Sequence, residues 1–244
     1  IHHRLVGSEM CIRDRNYTAD FFLNNLTKSN NKYPNLKIWT NKDLDQNIYT
    51  DFNEAISKDG YKLFLKKLYE YGFTVIQNCK TEMSSVEKIA KKIGYVRESI
   101  FGGLWSFESN EDKADSAYTQ EELRPHTDST YSNDAPGLQL LLCCHYKASG
   151  GESIMVDGFK IAEKIKNEKR EIYDLLTQIE VTGQYIGDGV FLKAKRPIFR
   201  VNSDSELIQV SFNNYDRAPF KFSEDKTKKF YEAIKEFDLI ANNK

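Results

Sequence analysis

The sequence predicts an α+β chain with a mainly β core, a sandwich or barrel, and helices packed outside it. Three observations predict this. Strand-like apolar runs cluster in the middle of the chain, at 136–156 and 197–214. Amphipathic helical patterns lie towards both ends and in one insertion between the strand runs. No internal repeat and no low-complexity linker interrupts them. With 244 residues, 40% hydrophobic and 13% aromatic, the chain suffices for one large domain or two small ones.

The first fifteen residues, "IHHRLVGSEMCIRDR", lack the apolar centre of a signal peptide, and Glu9 and Asp14 argue against a transit peptide. They resemble a translated adaptor read-through, so 1–15 is expected to be non-native and His2 and His3 receive no ligand role. Position 1 is not Met, and the chain is expected to be a fragment. Residues 16–49 are rich in Asn, Lys and aromatics without a clear period, which suggests a linker or the remnant of an N-terminal domain.

Tyr61, Phe64, Leu65, Leu68 and Tyr69 fall at helical spacing, and Gly72 stops that helix. "FTVIQN" (73–78) follows as a strand. "SSVEKIAKKIG" (84–94) is a short helix with Ser84 and Glu87 as a capping box and Gly94 past its end. "PGLQLLLCCHY" (136–146) is a buried strand, and "ESIMV" (152–156) another, separated by the Gly150-Gly151 turn. Residues 158–180 form one or two helices. "PIFRVN" and "LIQVSFNN" make a hairpin around "SDSE". Ser223 caps a last helix with Phe230, Ile234 and Phe237 on one face.

Lys plus Arg number 35 against 36 Asp plus Glu, a net charge of -1. This balance gives no reason to expect nucleic acid or an anionic membrane as partner, and no run approaches the roughly 18 apolar residues of a membrane span. The 4 cysteines include no C-x-x-C, and adjacent Cys143 and Cys144 would point to opposite faces of a strand. A reduced, intracellular, cytoplasmic chain without disulfides or structural zinc is expected. A mitochondrial location stays open if the native N-terminus carries a transit peptide, and a homodimer stays open as the assembly.

Histidine is scarce, with 4 residues in all, and one stands in "RPHTDSTY" (124–131). If this stretch is extended, His126 and Asp128 project from one face and Thr127 from the other. An imidazole and a carboxylate in one small volume are two thirds of the 2-His-1-carboxylate facial triad of non-haem Fe(II). That triad leaves room for a bidentate 2-oxo acid and dioxygen. On the tripeptide alone, a loop-capping His beside a turn Asp is the better explanation of the pattern.

The flanks add specificity. "DSAYTQEELRPHTDSTY", "GGESIMVDGF" and "SFNNYDRA" occur in the order seen in the γ-butyrobetaine and trimethyllysine dioxygenases. From about residue 50 to the end the chain resembles these Fe(II)- and 2-oxoglutarate-dependent hydroxylases of carnitine biosynthesis, within the taurine dioxygenase-like group. The resemblance implies a double-stranded β-helix (jelly roll) with flanking helices, incomplete at the C-terminus, so that 50–244 is a partial dioxygenase catalytic domain. His126 and Asp128 would be iron ligands. The family's second His ligand and its 2-oxoglutarate-pairing Arg would lie beyond Lys244. Ser153 stands where the family places a hydroxyl near 2-oxoglutarate. His145 is outside the family pattern and reads as structural. Residues 1–49 lack the family's Cys-rich zinc domain. The implied cofactors are Fe(II), 2-oxoglutarate and O2, with ascorbate as reductant.

A quaternary ammonium donates no hydrogen bond and is held by aromatic faces. Phe101, Trp105 and Tyr118 match the family's cage positions, with Phe101 in place of an expected Tyr, and Tyr131 joins them as a candidate substrate contact. Asp115 would pair with the α-ammonium of trimethyllysine, which γ-butyrobetaine lacks. Asn213 and Asn214 are candidates for the substrate's polar end, and Asp216 and Arg217 for a supporting ion pair. The resemblance therefore implies N6-trimethyllysine 3-hydroxylation. The alternatives are γ-butyrobetaine hydroxylation, another taurine-dioxygenase-type hydroxylation, or a non-catalytic jelly-roll binding module.

Overall fold

A computed structural model describes residues 18–21, 35–44, 48–108, 122–147, 149–187 and 189–242. The chain divides into Ile1–Asn35 and Leu36–Lys244. In the first unit the described residues include one helical turn, where Thr18 Oγ1 accepts from the Phe21 amide at 3.2 Å.

The second unit begins with a small layer. Strand β1 (Tyr49–Asp51) pairs in parallel with β2 (Val75–Gln77). Asp51 ends β1 and starts α1 (Phe52–Ile56) by accepting from the Asn53 amide, and Ser57 does the same for α2 (Lys58–Tyr71) through Gly60. Gly72 closes α2 at φ 75°, a left-handed conformation that Gly adopts without a Cβ clash. Helix α3 (Met83–Ile93) then covers the layer, and Phe52, Ala55, Phe64 and Ile89 form its core.

The larger core joins α4 (Gly158–Glu168), α5 (Arg170–Gln178) and α6 (Glu224–Ala241) to the hairpin of β5 (Phe199–Val201) and β6 (Leu207–Val210). Ile165, Leu176, Phe199 and Phe230 are its largest fully buried side chains. Phe230, Ile234 and Phe237 supply the inward stripe of α6. Asp157 caps α4: Oδ1 accepts from the Phe159 and Lys160 amides, and Oδ2 accepts from the Trp39 amide at 2.9 Å. Between α5 and β5 runs a longer antiparallel hairpin, β3 (Glu180–Gly187) and β4 (Val190–Pro197), in register from Glu180↔Pro197 to Gly187↔Val190.

Among the described residues the β structure is three two-stranded sheets rather than a closed barrel. The expected strands 136–146 and 152–156 carry no ladder. Most of their apolar side chains are exposed, Leu141 64% and Ile154 53%, while Leu140 and Val156 pack against the two cores. An apolar run becomes a strand only where a second backbone edge meets it, and no described segment does so here. The β3–β4 hairpin, conversely, escaped the sequence reading, which carried the helix pattern to residue 180. The Asp-Gly dipeptide that the sequence carries between Gly187 and Val190 is a hairpin signal. The capping box also differs: Glu82 occupies the cap of α3 without a side-chain bond, and Ser84 lies inside the helix. Ser223 precedes α6, but its hydroxyl makes no capping bond. That helix is held by its buried aromatic stripe instead.

Candidate metal and substrate site

Strand β3 organises the site. A Cβ on Gly183 would come within 2.5 Å of the Thr130 carbonyl group, so residues 130–131 lie directly on β3. Tyr185, two residues on and on the same face, meets Tyr131 at 5.2 Å between ring centroids. Along the free edge of β3, the Gln184 amide donates to Asp216 O at 2.8 Å and the Ala218 amide to Thr182 O at 2.9 Å. Segment 216–218 therefore extends the hairpin by one short strand-like piece.

The 124–131 loop is fastened from this second side as well. The Thr127 amide donates to Phe212 O at 2.7 Å, and the Phe212 amide donates back to Thr127 Oγ1 at 2.9 Å. Thr130 Oγ1 donates to Asp216 Oδ2, which also accepts from Asn213 Nδ2 at 3.0 Å. The Arg124 amide donates to the Tyr215 hydroxyl at 3.0 Å, while its guanidinium pairs with Asp238 of α6 at 2.7 Å. With Thr127 committed to Phe212, His126 and Asp128 are left together on the other side.

His126 Nε2 lies 3.2 Å from Asp128 Oδ1. Its Nδ1 is 2.7 Å from Arg124 O, and Tyr215 packs edge-on at 5.9 Å. The Arg124 carbonyl accepts at Nδ1, as is common around metal-bound histidines, and Nε2, which faces the Asp128 carboxylate, is the nitrogen at which a metal would replace the proton. The Asp128 bond raises the His126 pKa above its ordinary value against the opposing effect of burial. The same bond holds the Asp128 carboxyl below the usual carboxylate range, again against burial. Asp128 is thus an anion with a ring nitrogen beside it. One N and one O donor suit a divalent first-row metal. No group of three or more His, Cys, Asp or Glu that could hold a metal occurs among the described residues.

Phe101 and Trp105 stack at 5.7 Å, and Phe101 meets Tyr185 edge-on at 6.3 Å. The rings thus run from Trp105, 43% exposed, through Phe101 and Tyr185 to Tyr131, 6% exposed. Tyr185 was missed in the sequence. The alternation of "EVTGQYIG" ahead of Asp-Gly could have identified its strand, but not its partners. Tyr215 and Arg124, which orient the His126 ring, were likewise not singled out.

Asp115 and Tyr118 lie outside the described residues. Ser153 is exposed, and no described contact joins it to His126 or Asp128. Asn213 is bound to Asp216 and accepts from the Tyr215 amide, while Asn214 is exposed. The expected Asp216–Arg217 ion pair does not form among the described residues. Adjacent residues of an extended segment face opposite ways: Asp216 serves Thr130 and Asn213, and Arg217 lies over the rings of Phe220 and Tyr231, at 5.3 and 4.9 Å.

The profile of the Taurine catabolism dioxygenase TauD, TfdA family matches residues 40–244. A trimethyllysine dioxygenase of Meyerozyma guilliermondii is 34% identical over 220 residues, covering 84% of this chain and 54% of the relative. The mitochondrial trimethyllysine dioxygenase of Rattus norvegicus is 32% identical, with 75% of this chain and 44% of the relative covered. A gamma-butyrobetaine dioxygenase of a Pseudomonas species is 32% identical, with 71% and 45% covered. The chain spans about half the length of these curated relatives. No helix of the described residues is long and apolar enough to cross a membrane.

Proposed function

The chain belongs to the TauD/TfdA family of dioxygenases, and from that premise we propose that the whole protein hydroxylates N6-trimethyllysine at C3, using Fe(II), 2-oxoglutarate and O2. The His126–Asp128 pair is the observation that carries this reading: Nε2 and Oδ1 stand 3.2 Å apart on a loop fastened to β3, residues 212–216 and α6. His126 and Asp128 would hold the iron, which supplies oxidation of an unactivated C–H bond coupled to decarboxylation of 2-oxoglutarate.

The protein's share is orientation. Arg124 O and Tyr215 fix the His126 ring. Phe101, Trp105, Tyr118 and Tyr131 are the proposed ring contacts of the trimethylammonium group, with Tyr185 behind them. Ser153 is the proposed contact of 2-oxoglutarate, and Asn213 and Asn214 of the substrate's polar end. Holding one C–H bond near the metal and excluding the others is a positioning task, and rigid attachment of the loop suits it.

The second reading, γ-butyrobetaine hydroxylation, is favoured by the name of the Pseudomonas relative. Both substrates carry the trimethylammonium end, so the polar end must discriminate. A charge-assisted bond from Asp115 to the α-ammonium is worth roughly 1.5–3 kcal/mol, or about ten- to a hundredfold in kcat/KM. Succinate release by the full-length protein is measured with each substrate, for wild type and Asp115→Asn. Preference for trimethyllysine, lost in the variant, is the expected outcome. A wild-type preference for γ-butyrobetaine overturns the assignment.

A further inference from the structure

Helix α6 reaches the 124–131 loop at two neighbouring positions. Phe237 packs on Phe212, which exchanges bonds with Thr127. The next residue, Asp238, holds the other flank of His126. Its Oδ2 accepts from Arg124 Nη1 at 2.7 Å, across 114 positions of the chain. Asp238 Oδ1 accepts from Asn242 Nδ2 at 3.1 Å, so both carboxylate oxygens are engaged, and the side chain is only 19% exposed. Arg124 in turn is held three ways. Its guanidinium is on Asp238, and its amide donates to the Tyr215 hydroxyl at 3.0 Å. Pro125 follows it and disfavours the helical region of its backbone. A backbone fastened at side chain, amide and following residue leaves its carbonyl little room to swing. That carbonyl lies 2.7 Å from His126 Nδ1.

We propose that Asp238 is a positioning residue for the metal site: through Arg124 it fixes the carbonyl that orients the His126 ring. The role rests on the reading of His126 as a metal ligand. Without the anchor on α6 the carbonyl loses its place and the ring is free to turn about its own side-chain bonds. Nε2 then spends less time beside Asp128 Oδ1, and metal binding has to order it again. The Arg124 end of the ion pair is 62% exposed, and such pairs add little to stability. The expected signature of this role is therefore a loss at the metal site with the fold intact.

The test is titration of the metal-free full-length protein with Co(II), followed by the visible absorption of the bound ion. Asp238→Asn is expected to weaken Co(II) binding roughly tenfold, the low end of the loss seen for partners of a ligating His. Asp238→Glu, which keeps the charge, is expected to recover most of the affinity. Arg124→Gln should match Asp238→Asn, and the double variant should be no weaker than either single one, because both changes break one link. Asp174→Asn removes the carboxylate of a comparable helix-surface pair, Arg170–Asp174 at 2.8 Å, and should leave the affinity unchanged. If Asp238→Asn unfolds, Arg124→Gln tests the same link from the loop side. Unchanged Co(II) affinity in Asp238→Asn and Arg124→Gln overturns the proposal. So does a double variant weaker by the product of the two single losses, or a loss that Asp238→Glu does not recover. Weakened Co(II) binding in a protein that turns over neither trimethylated substrate would sink the proposed activity alone. Turnover of trimethyllysine with Co(II) affinity indifferent to both variants would sink the positioning role alone.

Discussion

At the scale of single residues, Gly183 has little freedom to change. Any side chain there enters the Thr130 carbonyl group, at 2.5 Å for a Cβ, and backbone cannot rotate aside as a side chain tip can. Gly183→Ala is expected to cost roughly 1–3 kcal/mol, as overpacking does, and to displace the 124–131 loop. Urea denaturation gives the first, and the loss of the His126–Tyr215 ring-current shift in NMR spectra gives the second. Trp105→Ala acts differently, because Trp105 is half exposed and supports little else. In the full-length protein it is expected to raise KM for the trimethylated substrate, through a cation–π contact worth about 0.5–2 kcal/mol. Decay of 2-oxoglutarate without substrate hydroxylation should persist. An unchanged KM would mean that the trimethylammonium group binds elsewhere. The adjacency of His126 and Asp128 is readable from alternation in an extended segment. Tyr185, Tyr215 and Arg124 are not readable that way, since each acts across 54 or more positions in the chain or through a backbone atom.

At the scale of elements, periodicity was the reliable signal. Helices α2, α4, α5 and α6 follow from their 3.6-residue spacing, and β5–β6 from two alternating runs around a polar turn. Caps were less legible, because a Ser or Glu at the right spacing competes with neighbours that only the folded chain brings near. Helix α6 illustrates what replaces a cap. Phe230 is fully buried and meets Phe220 at 4.7 Å. Phe237 meets Phe212, the residue that exchanges bonds with Thr127, at 4.3 Å. Phe230→Ala is expected to destabilise by about 3–5 kcal/mol, measured by the denaturation midpoint. A loss below about 1 kcal/mol would show that α6 is anchored by Arg124–Asp238 and similar pairs instead.

At the scale of the whole molecule, the apolar runs at 136–146 and 152–156 show where sequence reading stops. Their composition fits a buried strand, but burial is a property of two surfaces and composition describes one. Leu141 and Ile154 face outward in this chain, so Leu141→Lys should leave its stability within about 0.5 kcal/mol. A loss of 2 kcal/mol or more would show that the segment is packed in solution. The link between Trp39 and Asp157 has a consequence of another kind. One carboxylate holds the first turn of α4 and, 118 positions earlier, the amide of a residue outside any helix or strand. Local opening of either partner therefore frees acceptor capacity that the other depends on, and the two ends should fray together. In deuterated solvent the Trp39 amide is expected to exchange at the pace of the α4 amides, slow for an irregular segment, and Asp157→Ala should release both on the same clock.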